Sequence, residues 1–179
     1  ASTSVAITQP ASALAANGTK TNVACFGAST GTITMSPTGG TAPYTYNWGG
    51  GITSQNRSNL PAGTYNVIVT DSKGCTATQA FTITQNAGLA LSVAVTNPTC
   101  INTPPAPDGA INLTVSGGAS PYTYDWADLP GSNNPEDRSG LAPGTYSVTV
   151  TDSQGCKGTI SATLNALNTA PNPPAVINH

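Results

Sequence analysis

Charge is what this sequence has least of. Asp, Glu, Lys and Arg make up 7% of its 179 residues, against about 25% in an ordinary soluble protein. Its five basic residues are scattered, too few to neutralise a phosphate backbone, so nucleic acid is excluded as a partner. The only histidine is His179, which leaves Ser–His and Cys–His chemistry without a general base. Of the seven carboxylates only Asp71 and Asp152 recur at matching places. The facing acid pair that glycoside hydrolysis needs is therefore missing, and no enzyme activity is expected. Long apolar runs are absent too. None approaches the roughly 18 residues of a membrane span, and no charged-then-apolar leader opens the sequence.

Aromatic residues are also few, at 6%, yet most of them fall in one stretch written twice. "PYTYNW" begins at Pro43 and "PYTYDW" at Pro121. Around them "GGTAPYTYNW" aligns with "GGASPYTYDW", and "LPAGTYNVIVTDSKGC" (Leu60–Cys75) aligns without a gap on "LAPGTYSVTVTDSQGC" (Leu141–Cys156). Self-similarity at a fixed period signals a repeat architecture. The offset grows from 75 between Cys25 and Cys100 to 81 between Cys75 and Cys156, as expected of one framework with surface loops of adjustable length. The opening "ASTSVAITQP" aligns on "ATQAFTITQN" (Ala77–Asn86). The expected organisation is thus the last strand of a preceding repeat over 1–10, repeat one over 14–86, repeat two over 89–166, and a Pro/Asn-rich linker or tail over 167–179. Only Ala87 and Gly88 separate the copies.

The residue pattern is β throughout. Tyr65, Val67 and Val69, then Tyr146, Val148 and Val150, alternate with mainly polar residues, the two-residue period of a half-buried strand. "GTITMS", "GAINLTVS", "AFTITQ" and "LSVAVT" behave alike, and "SPTGG", "GGAS", "LPAG" and "DSKG" punctuate them as turns. No helical stripe is sustained. The fold class expected is all-β: two tandem immunoglobulin-like β-sandwiches. The "LxxGxY" run resembles the tyrosine corner of such sandwiches. Domains this small need a staple, and each copy holds two cysteines. The expected bonds are Cys25–Cys75 and Cys100–Cys156, each closing a loop and stabilising its copy by about 4 kcal/mol. A metal site has neither a CxxC pair nor a histidine partner. Disulfides place the chain in an oxidising compartment, secreted or at the surface.

Tyr44, Tyr46 and Trp48 fall at i, i+2 and i+4, on one face of a strand, and Tyr122, Tyr124 and Trp126 repeat the arrangement. Facing outward, the row is a stacking platform for sugar rings; facing inward, it is the core. The inward reading is preferred, because each ring buries about 150–250 Å² and the copies have few other aromatics with which to build an interior. Thr45, Asn47, Thr123 and Asp125 then face solvent. Asp71 and Asp152 stand at strand ends, where an aspartate caps a turn by accepting backbone N–H groups. The alternative there is calcium, with Asp125, Asp128, Glu136 and Asp137 gathered in the longer loop of copy two. No other cofactor is expected.

The order Cys … Gly-Gly-x-x-Pro-Tyr-x-Tyr-x-Trp … Leu-x-x-Gly-x-Tyr-x-Val-x-Val-x-Asp-x-x-Gly-Cys, over about 14–166, resembles the SprB repeat. Two departures stand out: Ile-Asn follows Cys100 where Phe-Gly follows Cys25, and "TLNA" replaces "TITQ" at the end of copy two. The resemblance implies a structural or adhesive segment of a large cell-surface protein of gliding Bacteroidetes and their relatives, in a stalk or surface filament, exported by type IX secretion. It brings no catalytic or ligand residue. The partners it implies are neighbouring repeats, surface glycans or other copies in a filament. A carbohydrate-binding module and an accessory segment of a secreted enzyme are the alternatives.

Overall fold

Two-residue alternation, short loops and paired glycines set the architecture of the chain. The structure is a computed structural model that describes residues 12–99, 107–131 and 134–166. The expectations for 1–10 and 167–179 lie outside the described residues. The chain divides into two units, Ala1–Gly88 and Leu89–His179.

Unit one contains β1 (Gly18–Thr21), β2 (Gly31–Met35), β3 (Thr45–Asn47), β4 (Arg57–Leu60), β5 (Gly63–Thr70) and β6 (Thr76–Ile83). They form two antiparallel sheets, ordered β1-β2-β4 and β3-β5-β6. Inward-facing Ile33 and Met35 of β2 and Leu60 of β4 join Val67 and Val69 of β5 and Phe81 and Ile83 of β6 in one core. The two sheets thus share their apolar faces, and each such buried side chain contributes about 1.5–3 kcal/mol.

Unit two contains β7 (Ala90–Thr96), β8 (Gly109–Ser116), β9 (Thr123–Trp126), β10 (Arg138–Leu141), β11 (Gly144–Thr151) and β12 (Lys157–Leu164). Its sheets run β7-β8-β10 and β9-β11-β12, around Ile111, Leu113, Trp126, Leu141, Val148, Val150, Ala162 and Leu164. The strand order is that of unit one, element for element.

Two backbone details recur as well. The strands β4 and β10 shift register against their neighbours, and the left-handed residue of each is Asn59 (φ 55°) or Gly140 (φ 68°). A left-handed residue at a bulge suits Gly best and Asn next. At the start of β8, a Cβ on Gly109 would lie 2.5 Å from the Leu141 carbonyl oxygen and 2.6 Å from Leu164 Cδ2. Gly31 is crowded by Leu60 and Ile83 in the same way, so side chains are excluded where these strands meet.

The expected Cys100–Cys156 pair rests on Cys100, which lies outside the described residues. The expected closure of copy one by a Cys25–Cys75 disulfide is corrected by the structure. Cys75 is an exposed free thiol, and the disulfide-bonded Cys25 is not bonded to it. The reason is visible within unit one. Cys75 closes the β5–β6 turn, hydrogen-bonded to Asp71. Cys25 lies at the other end of β6, between Val23, whose N–H donates to the Thr84 carbonyl, and Gly27, whose N–H donates to Gln85 Oε1. Nine residues of extended chain from Cys75 to Thr84 span about 30 Å, whereas a disulfide needs Cα atoms within about 7 Å.

Candidate functional site

The aromatic row lies on and beside β3 in unit one and β9 in unit two. Tyr46 stands opposite Val69 of β5, and Tyr124 and Trp126 stand opposite Val150 and Val148 of β11. This register turns the rings toward the core. Tyr44, Tyr46 and Trp48 are half-buried against the unit-one core. Trp126 is 1% exposed, with Tyr122 and Tyr124 packed beside it. Thr45, Asn47, Thr123 and Asp125 are exposed.

The polar ends of the rings are largely engaged within their own unit. The Tyr44 hydroxyl donates to the Gly39 carbonyl at 2.6 Å and the Tyr122 hydroxyl to the Gly117 carbonyl at 2.6 Å. Trp48 Nε1 donates to the Ser54 carbonyl at 2.8 Å and Trp126 Nε1 to the Pro135 carbonyl at 2.9 Å. The "LxxGxY" tyrosines behave alike: Tyr65 donates to the Pro61 carbonyl and Tyr146 to the Ala142 carbonyl, both at 2.9 Å. Burial pushes the Tyr46 phenol up, with a smaller effect from Tyr44. Burial, and then the Glu136 carboxylate beside it, push Tyr124 up to about 12.

Each unit also sets an arginine against its row, and sequence reasoning missed both. Arg57 lies over the Trp48 ring at 5.6 Å and the Tyr65 ring at 5.5 Å. Arg138 lies over Trp126 at 5.2 Å and Tyr146 at 5.6 Å. Isolated arginines in a charge-poor chain read as solvent-facing. The available signal was their place in "RSNLPAGTY" and "RSGLAPGTY", eight residues ahead of a tyrosine already assigned. The residue before each arginine holds a strand: Asn56 Oδ1 accepts the Met35 N–H at 3.0 Å, and Asp137 Oδ1 accepts the Leu113 N–H at 2.9 Å. Only Arg138 has an ion-pair partner among the described residues, a bidentate contact with Asp128 at 3.0 Å for both nitrogens. The hydrogen bond from Arg138 holds the Asp128 carboxyl below its ordinary range.

Asp71 and Asp152 are buried, and both oxygens of each accept N–H groups. In unit one Oδ2 takes Thr41 N–H, while Oδ1 takes Lys73 and Cys75 N–H, each at 2.9 Å. In unit two Oδ2 takes Ala119 N–H at 3.0 Å, while Oδ1 takes Gln154 and Cys156 N–H at 2.9 Å. Burial alone would raise these carboxyls, but the backbone donors outweigh it and hold both below the ordinary aspartate range. A carboxylate ringed by N–H donors is arranged to fix a turn. The acids of the copy-two loop are dispersed: Asp128 is on Arg138, Asp137 on the Leu113 N–H, Glu136 beside Tyr124, and Asp125 is exposed. Among the described residues no three metal-ligating side chains come together.

The SprB repeat family model matches the chain at residues 17–53 and again at 92–131, one match in each unit. No curated protein matches the chain.

Proposed function

From a chain that carries SprB repeats, and is therefore a repeat segment of a cell-surface protein, we infer a structural spacer. Its two units are read as tandem immunoglobulin-like repeats that hold an adhesive region of the parent protein away from the cell. A role in a surface filament or in gliding, and export by the type IX route, belong to this reading, as does the absence of catalysis. The disulfide-bonded state of Cys25 fits an oxidising, extracellular setting.

One observation carries the inference. In both units the side chains best suited to binding are engaged internally: the tryptophan N–H groups, four tyrosine hydroxyls, two aspartates and the ring-stacked arginines. Sugar recognition needs such rings and donors free at the surface. Few charges leave a surface whose interactions vary little with salt.

The test is a glycan array read with the wild-type chain and with Trp48→Ala and Trp126→Ala, alongside thermal melts of all three. The spacer reading expects no glycan to be retained by the wild type and expects both variants to melt lower. Retention by the wild type that is lost in a variant with an unchanged melt would establish a binding platform instead.

A further inference from the structure

We propose that unit one binds a carboxylate of an acidic polypeptide at Arg57, on the N–H edge of the guanidinium that lies over Trp48 and Tyr65. The site stands apart from the spacer reading, which concerns the rings.

Unit two shows the same site filled from within. Arg138 lies over Trp126 at 5.2 Å and Tyr146 at 5.6 Å, and Asp128 meets both of its terminal nitrogens at 3.0 Å. Unit one builds the same cradle. Arg57 lies over Trp48 at 5.6 Å and Tyr65 at 5.5 Å, and the preceding Asn56 is tied to the Met35 N–H as Asp137 is to the Leu113 N–H. What unit one lacks is the acid. Gly50 stands two residues past Trp48, where Asp128 stands two past Trp126, and the connection onward to the arginine is three residues shorter. Gly49, Gly50 and Gly51 take left-handed φ values of 81°, 56° and 80°, and a Cβ on any of them would meet nothing within 4 Å. The turn after Trp48 therefore carries no side chain and borders open space.

No other side chain of unit one takes the acid's place. Asp71 is its only carboxylate, and both oxygens of Asp71 are committed to the Thr41, Lys73 and Cys75 N–H groups. Among the described residues Arg57 makes no ion pair and donates no hydrogen bond, yet it is only half-buried. Its face is engaged by the rings, and its N–H edge is not. A guanidinium already held flat on two rings presents a pre-ordered fork, which a carboxylate matches with two parallel hydrogen bonds. Charge acts in the same direction: unit one sets Lys20, Arg57 and Lys73 against Asp71 alone, so it attracts an acidic partner. A polypeptide is favoured among acids because the carboxylate on the fork of unit two comes from a peptide loop, "ADLPG" (Ala127–Gly131).

The experiment is an NMR titration of the isotope-labelled full chain with a blocked "ADLPG" peptide, following the Arg57 Nε–H, Trp48 Nε1–H and Arg138 Nε–H signals. The expected result is a saturating shift of the Arg57 and Trp48 signals, with Arg138, already paired, unmoved. The same peptide with asparagine in place of aspartate is expected to shift neither. Arg57→Met is expected to abolish the response at Trp48. Arg57→Lys, which keeps the charge without the fork, is expected to weaken it severalfold, and the amide spectrum of each variant reports its folding. No shift, an equal shift at Arg138, an equal response to the asparagine peptide, or full affinity in Arg57→Lys overturns the site. A uronate oligosaccharide that saturates the same signals at lower concentration than the peptide overturns the choice of a polypeptide. Failure here leaves the spacer reading standing, whereas glycan retention lost in Trp126→Ala would sink that reading without touching Arg57.

Discussion

Asp152 and Cys156 hold each other from both sides of one turn: Asp152 Oδ1 accepts the Cys156 N–H at 2.9 Å, and the Cys156 carbonyl accepts the Asp152 N–H at 2.9 Å. Asp71 and Cys75 repeat the pair at the same distances. The aspartate thus fixes the backbone that presents the cysteine. Asp71→Asn and Asp152→Asn turn an amide N–H₂ toward N–H groups that now meet an acceptor. Both variants are expected to melt several degrees lower, while Asp125→Asn, on an exposed residue, leaves the melt unchanged. Calorimetry of the three decides it.

The same carboxylates give stability its acid limb. The carboxyls of Asp71, Asp108, Asp128 and Asp152 all lie below their ordinary value in the folded chain. A depressed folded pKa contributes stability that is fully present above the unfolded value, about 3.9, and is lost as pH falls through the folded value. Denaturant midpoints are therefore expected to be flat from neutrality down to about pH 5 and to fall steeply below about pH 4. A midpoint that rises as the pH drops through that range would contradict the assignment.

At the alkaline end the sign reverses. Burial and Glu136 push Tyr124 up to about 12, so the folded chain holds a proton that the unfolded chain releases near 10. Stability is full below pH 10 and is lost as pH rises toward 12 through this group. Phenolate absorbance near 295 nm is expected to show a late step, removed by Tyr124→Phe.

Burial and ring stacking predict an order among core substitutions. Trp126 is 1% exposed, and Trp126→Ala is expected to cost about 3–5 kcal/mol. Trp48 is half-buried, so Trp48→Ala costs less. Arg57→Met and Arg138→Met each lose two ring contacts worth about 0.5–1 kcal/mol apiece. Arg138→Met also loses the Asp128 ion pair, a further 0.5–1 kcal/mol or so. Urea titrations rank all four.

How far the sequence spoke depended on whether a feature was periodic. The β5 and β11 strands were legible because Val67, Val69, Val148 and Val150 alternate with polar residues and are buried. β1 and β4 were not, since "GTKT" is almost wholly exposed and "RSNL" buries only Leu60, and both hold their places by pairing with β2. The aromatic row could be read from i, i+2, i+4 spacing, whereas Arg57 and Arg138 join it only through the fold. Cysteine count suggested a staple inside each copy. Counting cannot show that Cys25 and Cys75 sit at opposite ends of β6, and that separation decides the pairing.

The most direct measurement is peptide mapping of the non-reduced, oxidised chain by mass spectrometry. The account predicts that Cys75 is recovered as a free thiol, with no linked peptide pair joining it to Cys25. Recovery of a Cys25–Cys75 peptide would contradict it, because the two cysteines would then have to meet although they stand at opposite ends of β6.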